Sequence, residues 1–530
     1  MAKLEKDKKV LIRIENLKKY FPVKKPSLFD REALYVRANE DVSLDIYEGE
    51  TLGLVGESGC GKSTLGRTLL QIYDQTDGRT IYYGLDIDEL APKYVSDILK
   101  RLPSLGNKLK ELQKKENDTL KTYEKLPEGK EKYQALEKYR EAEKEYRTLL
   151  LDVTQLIGGL IVADDLSEVS RVAMKEHETS REAFKIRKKI KEENVLIEGK
   201  VLTLQEEGKK LEEIETQIKS QKNKVQEWEK ELSKLEDKIK DIEKEIEVLR
   251  DKYRNHPEFE KYDKNRDKGI NLARLTENEA RLLRKDLQLI FQDPYSSLNP
   301  RLTVGQIISE GLYAHKIFAK NDKSVQDYII KTMEECGLAP YFIHRYPHQF
   351  SGGQRQRIGI ARSVALRPKF IVCDEAVSAL DVSIQSQIIN LLLDLKEKED
   401  LTYMFISHDL SVIKYISDRV GVMYLGNIVE LAETEELYSR PMHPYTEALL
   451  SAIPTTDPDH KKDPVILEGD IPSPIRPPSG CKFHTRCKYA TEICKNVLPE
   501  FEEVVPGHFV ACHHKINLDK IEPAEVKIAK

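Results

Sequence analysis

The octet Gly56-Glu57-Ser58-Gly59-Cys60-Gly61-Lys62-Ser63 restricts the fold of this chain more than any other stretch. Its spacing is G-x-x-x-x-G-K-[ST]. It follows the apolar run Thr51-Leu52-Gly53-Leu54-Val55, and Ser63 to Ile72 reads as a helix. A strand, a glycine-rich turn and a helix in that order bring backbone N–H groups and the positive end of a helix to one place, which makes a phosphate cradle. The spacing assigns Gly56, Ser58, Gly59, Gly61 and Thr64 to the cradle, Lys62 to the β- and γ-phosphates, and Ser63 to Mg²⁺. A chance glycine-rich turn would lack the strand before and the helix after. Cys60 fills a variable position of the pattern and needs no redox role.

A second element must bring acids to the same phosphates. Phe370-Ile371-Val372-Cys373-Asp374-Glu375 is an apolar run ending in two carboxylates, the pattern of a buried parallel strand. Asp374 is expected to hold Mg²⁺ directly or through water, and Glu375 to polarise the attacking water as general base. Upstream lies Phe350-Ser351-Gly352-Gly353-Gln354, glycines before a helix and so another phosphate cradle. Gln292 follows the strand Leu287–Phe291, Ser378-Ala379-Leu380-Asp381 follows the acids, and His408 follows the strand Tyr403–Ile406.

Between the two halves of this pattern the composition changes. Charged residues make up 33% of the chain, above the ~25% of ordinary globular proteins, and Lys and Glu dominate from about 92 to 275. Leu211, Ile214, Ile218, Val225, Trp228, Leu232, Leu235, Ile239, Ile242, Ile246, Leu249 and Tyr253 fall on alternating three- and four-residue steps, broken only at Gln221. That series predicts a coiled coil. Leu99 to Leu151 is helical but less regular, with a break at Pro127 and Gly129, and Gly158-Gly159 with Asp164-Asp165 mark a turn. One antiparallel hairpin of two long helices is the expected arrangement, and without it the flanking motifs close into one compact unit.

With 86 Lys+Arg against 91 Asp+Glu and a net charge of −5, no bias favours nucleic acid or an anionic membrane surface. Met1 to Val10 is charged and lacks the apolar core of a secretory signal. The best apolar run, Leu156 to Ala163, is shorter than the ~18–20 residues a bilayer span needs. The expectation is a soluble chain that reaches a membrane only through partners. Of seven cysteines, Cys60, Cys336 and Cys373 are scattered, while Cys481, Cys487, Cys494 and Cys512 cluster. Without an export signal, that clustering favours a metal or iron–sulfur site over disulfides.

Taken in order, these motifs resemble the ATP-binding-cassette ATPases. The resemblance implies a P-loop NTPase cassette: a RecA-like core with antiparallel β and helical subdomains. Here it would be interrupted by a long antiparallel coiled-coil hairpin and followed by a small Cys-containing C-terminal domain. It implies a signature loop at Ser351, Gly352, Gly353 and Gln354, a Q-loop at Gln292 that also serves Mg²⁺, a D-loop at Asp381 and a switch histidine at His408. It places Phe21 on the adenine of ATP, with Tyr20 as rival, and it implies a dimer, since each signature loop caps ATP held by the other subunit. The expected boundaries are 1–91 and 276–435 for the cassette, 92–275 for the insertion and 436–530 for the extension and polar tail.

Phe291-Gln292-Asp293-Pro294-Tyr295-Ser296-Ser297-Leu298-Asn299-Pro300-Arg301, Val304-Gly305-Gln306-Ile307, Arg345-Tyr346-Pro347-His348, His443-Pro444-Tyr445-Thr446 and Gly480-Cys481-Lys482-Phe483-His484-Thr485-Arg486-Cys487 resemble the oligopeptide and dipeptide importer ATPases. In that family four such cysteines hold an iron–sulfur cluster, which would put Cys481, Cys487, Cys494 and Cys512 around [4Fe–4S]. All-thiolate ligation also suits structural zinc, although no C-x-x-C pair is present. His484, His513 and His514 read as surface residues. The implied partners are a second cassette ATPase in a heterodimer, two transmembrane permease subunits and an extracellular solute-binding protein, with no nucleic acid. The implied place is the cytoplasmic side of the cell membrane. Relatives that carry nickel, glutathione or cell-wall peptides leave the cargo open. A DNA-organising or repair ATPase is the rival from another class, although there the Q-loop precedes the coil, whereas Gln292 follows it.

Overall fold

The computed structural model describes residues 8–23, 34–127, 129–206, 209–319, 322, 324–453 and 465–518. Two compact units emerge, one of residues 1–80, 284–304 and 333–530, the other of 81–283 and 305–332.

In the first unit an eight-stranded sheet runs in the order Glu502–Val505, His508–Val510, Asn427–Glu433, Arg419–Tyr424, Thr51–Val55, Thr402–Ile406, Phe370–Asp374, Leu287–Ile290. From Arg419–Tyr424 to Leu287–Ile290 neighbouring strands are parallel. Thr51–Val55, Phe370–Asp374 and Thr402–Ile406 are buried along their whole length, as strands covered on both faces must be, and hence they read as unbroken apolar runs. Parallel strands end at one edge of a sheet, where ligands of open α/β sheets bind. Gly56, Gln292, Glu375 and His408 each follow such an end.

The other three strands are antiparallel, and they change one expectation. The Cys-containing region was expected as a separate small domain, yet its hairpin continues the sheet, with Glu430 opposite Val510 and Leu431 opposite Phe509. A buried polar network fixes the seam. Glu430, fully buried, accepts from the backbone N–H groups of Met442 (2.5 Å) and His443 (3.0 Å), and lies 2.8 Å from Nε2 of His508. Nδ1 of His508 is 3.1 Å from Glu436. The strands Val10–Pro22 and Tyr35–Tyr47 pair antiparallel in the same unit.

The second unit is mostly helical and differs from the single hairpin expected. The break at Pro127 and Gly129 reverses the chain, so Lys130–Ile157 returns along Leu102–Lys125. Lys115 pairs with Glu145 at 2.7 Å, and Tyr123 stacks on Tyr139. After a 3₁₀ turn at Gly158–Val162, Leu166–Glu206 runs out and Leu211–Tyr253 runs back. Leu235 meets Ala183 and Ile186, whereas Ile214 and Ile218 meet Ile197 and Leu204. Rising numbers on one helix meet falling numbers on the other, so this pair is antiparallel. The heptad stretch therefore packs on 166–206, not on 99–151. Gln221, where the apolar series breaks, donates to Glu193 across the pair at 3.0 Å. Lys316, in the 305–332 segment, pairs with Glu192 at 2.9 Å. The side chain of Leu211 and the tail beyond 518 lie outside the described residues. Among the described residues no helix is long and apolar enough to cross a membrane.

Candidate nucleotide site

The turn between Thr51–Val55 and the helix Lys62–Leu69 can be built only with glycine at its tightest point. Gly61 has φ +105°, and a Cβ there would stand 2.1 Å from the carbonyl oxygen of Ala38. The Asn39 amide donates to the Gly61 carbonyl at 3.1 Å. Lys62, nearly buried, donates from Nζ to the carbonyls of Gly56 (2.8 Å) and Glu57 (3.2 Å). Its ammonium is thus held over the turn, with Ser58 and Gly59 at the bend and half-buried Ser63 and Thr64 in the first helical turn. Burial raises the pKa of the Cys60 thiol, with Lys62 opposing; a thiol kept neutral is unreactive.

Asp374 is almost wholly buried at the end of its strand. One carboxylate oxygen accepts from Nε and Nη2 of Arg67 at 3.2 and 3.0 Å. The other, Oδ1, is buried with no hydrogen-bond partner. An orphaned buried carboxylate oxygen is costly unless a cation or its water completes it, so the donor set here fits Mg²⁺. The next residue, Glu375, takes φ +50°, and its N–H donates to the carbonyl of Ile406 at 3.0 Å. A left-handed conformation at a non-glycine residue stores about 1 kcal/mol or more of strain, a feature common at working sites. It leaves the Glu375 carboxylate accepting from the Gln292 amide at 2.7 Å and 3.7 Å from Nδ1 of His408. Three residues chosen from distant sequence positions therefore meet.

Other expected residues stand in groups of their own. Ser351 caps the helix Gly352–Val364, accepting from the Gln354 N–H, while the Gln354 side chain accepts from the Ser351 N–H. A Cβ on Gly353 would come within 2.5 Å of Ile384, which explains glycine there. Asp381 caps the helix Val382–Glu399 through the Ile384 N–H at 3.0 Å. Phe21 sits edge-on to Tyr73 at 5.3 Å under the Lys19 ammonium, and the Tyr20 hydroxyl donates to Glu40 at 2.9 Å. Among the described residues no hydrogen bond or ion pair joins Phe21, Asp381 or the Ser351–Gln354 turn to the cradle.

Cys481, Cys487, Cys494 and Cys512 are all free thiols, and the backbone of Cys481 donates to that of Cys494 at 2.8 Å. Burial pushes the pKa of Cys481 up to about 11 and that of Cys512 up to about 12. The charges of the neighbouring cysteines add to both shifts. The four sulfurs thus share one neighbourhood, and in kind they suit a four-thiolate centre. In spacing, no three His, Cys, Asp or Glu among the described residues converge closely enough to hold an ion.

Sequence reasoning missed Arg67, and it named Tyr445 and Arg486 only within stretches that resemble the importer ATPases, with no role for either. Arg67 lies on the face of its helix that meets Asp374, a placement that the single Arg after Lys62-Ser63 does not advertise. The Tyr445 hydroxyl accepts from the N–H of Glu57 at 2.8 Å, and Arg486 reaches the Glu57 carboxylate.

Two family models match the chain. "ABC transporter" covers 39–163 and 260–378, and "Oligopeptide/dipeptide transporter, C-terminal region" covers 429–494. Residues 164–259, between the matched stretches, enclose the helices Leu166–Glu206 and Leu211–Tyr253. The oligopeptide transport ATP-binding protein AppF of Bacillus subtilis is 53% identical over 249 residues, 46% of this chain and 75% of that protein. A candidate peptide import ATP-binding protein of Brucella ovis is 55% identical over 244 residues, 46% of this chain and 76% of its own length. A solved dimeric ATP-binding cassette with ADP and Pi covers 80% of this chain at 15% identity and a TM-score of 0.40. With both family models and a 53% identical relative covered over 75% of its length, the chain belongs to the ATP-binding-cassette transporter ATPases, in their oligopeptide/dipeptide branch.

Proposed function

We propose that this chain hydrolyses ATP to drive uptake of di- or oligopeptides through partner permease subunits, from the cytoplasmic side of the cell membrane. The observation that carries it is the meeting of Gln292, Glu375 and His408 at the strand ends beside buried Asp374. Relatives named for oligopeptide transport and peptide import supply the cargo class.

In the reaction read here, water attacks the γ-phosphorus, an O–P bond forms, and the bridging bond to the β-phosphate breaks. Glu375 accepts the proton of that water, Gln292 fixes its carboxylate, and Nδ1 of His408 stands 3.7 Å from the same carboxylate oxygen. The Lys62 ammonium and the N–H groups of Gly56, Ser58, Gly59, Gly61, Lys62, Ser63 and Thr64 hold the phosphate oxygens. Ser63, Gln292 and the free oxygen of Asp374 would hold Mg²⁺, which when bound neutralises phosphate charge. Ser351, Gly352, Gly353, Gln354 and Asp381 are read as the surface offered to ATP on a second cassette subunit, and Phe21, with Tyr20 as rival, as the adenine contact.

Affinity purification of the full chain from its native membrane should bring down two polytopic subunits and a second cassette ATPase. Recovery with DNA, or with no membrane protein, would remove the importer reading. We read 92–275 as a coiled-coil arm inserted into the cassette. The same purification with that segment replaced by a short linker should still recover the permeases if the arm is an addition to the cassette. Loss of ATP binding in that variant would make it an integral part.

Cys481, Cys487, Cys494 and Cys512 are read as ligands of a [4Fe–4S] cluster. Anaerobically purified protein should then be brown with broad absorption, and should lose its colour when Cys494 is replaced by Ser. Colourless protein with one zinc per chain would defeat the cluster in favour of zinc.

A further inference from the structure

The C-terminal region does more than extend the sheet, because one of its side chains grips the phosphate cradle itself. Arg486, in the turn His484–Arg486 between Cys481 and Cys487, donates from Nη1 and Nη2 to the two carboxylate oxygens of Glu57 at 2.7 and 3.0 Å. Glu57 is the second residue of the cradle and stands 429 positions earlier in the chain. The Arg486 side chain is 7% exposed and that of Glu57 24%, so the guanidinium is shielded while the carboxylate keeps some water. Paired charged hydrogen bonds of this kind fix orientation as well as adding energy.

Glu57 is also held through its backbone. The N–H of Glu57 donates to the Tyr445 hydroxyl, and Tyr445 opens the helix Pro444–Ser451, capped by the His443 ring. Phe483, three residues before Arg486, packs against Tyr424, Tyr445 and His443. Lys482 donates to the Leu425 carbonyl at 2.8 Å and pairs with Glu40 at 2.9 Å. Gly426, next along, donates its N–H to the carbonyl of Cys60 within the cradle. Arg486 therefore acts from a platform rather than from a loose tail.

We propose that Arg486 is a positioning residue for nucleotide binding: with Tyr445 it holds Glu57 so that the N–H groups of Ser58, Gly59, Gly61, Lys62 and Ser63 stay aligned on phosphate. The proposal rests on reading Gly56–Ser63 as the phosphate cradle. A cradle whose first turn is already fixed binds without ordering its own backbone, and that ordering cost appears as weaker affinity once the clamp is cut.

The test uses the full chain and a non-hydrolysable ATP analogue with Mg²⁺. R486A should weaken analogue binding about tenfold, the scale of one charge-assisted contact. E57Q, which keeps the shape of the side chain, should weaken it by a similar factor, and the double variant should lose no more than either alone. In steady-state hydrolysis KM should rise while kcat stays near wild type, a split that mere loss of fold would not give. R486K should recover part of the affinity. Unchanged affinity in R486A and E57Q, or losses that simply add in the double variant, would overturn the clamp. A wild-type chain that binds no analogue at all would instead sink the cradle reading on which the clamp stands.

Discussion

Replacing Glu375 by Gln is expected to cut ATP hydrolysis by about 10²- to 10³-fold while Mg·ATP stays bound, the scale that a positioned general base contributes. The amide fills the same space and can still hydrogen-bond to Gln292, but it cannot accept a proton from water at neutral pH. Binding should survive because the cradle, Lys62 and Asp374 are untouched. Nucleotide retained through gel filtration and phosphate release in a single turnover measure the two halves of the claim. Turnover within a few-fold of wild type would take Glu375 out of its role. Loss of binding with loss of turnover would instead say that the left-handed backbone at Glu375 had collapsed.

The largest effect on stability is expected at Glu50. This residue is fully buried and accepts from Nε and Nη2 of Arg419 at 3.0 and 2.9 Å, and from the N–H of Tyr47 at 2.8 Å. Arg419 is itself only 5% exposed. Substituting Ala at Glu50 strands that guanidinium between the Asp45 carbonyl and the Tyr47 ring. Breaking a buried pair from one side typically costs about 3–5 kcal/mol, which lowers the melting midpoint by roughly 10 °C for a unit of this size. Thermal unfolding of E50A beside wild type measures it. A drop of a degree or two would mean that water reaches Arg419 and that the pair is weaker than its burial implies.

How far the sequence can be read follows the range of each signal. The cradle and the strand Phe370–Asp374 were legible because their signals are local, a glycine spacing in one and an apolar run ending in acids in the other. The partner of Leu211–Tyr253 was not, because the apolar series of Leu166–Glu206 is interrupted from Lys175 to Glu182, where no residue is apolar, and resumes at small Ala183. Gln221 looked like a defect of the heptads, yet it has a polar partner in Glu193. The Arg486–Glu57 clamp has no local signal, since two single residues 429 positions apart leave no periodicity to detect.

The seam between Asn427–Glu433 and His508–Val510 has a consequence for synthesis of the chain. A ribosome releases the inner strand long before the outer one. Until then the growing sheet ends in a bare, hydrogen-bond-hungry border, and Glu430 lacks the imidazole of His508 that will share its burial. Open borders of this kind recruit stray strands from other molecules. A ribosome stalled between the two strands would therefore leave a sticky, unfinished sheet, and chaperone demand should peak over the interval of translation that separates them.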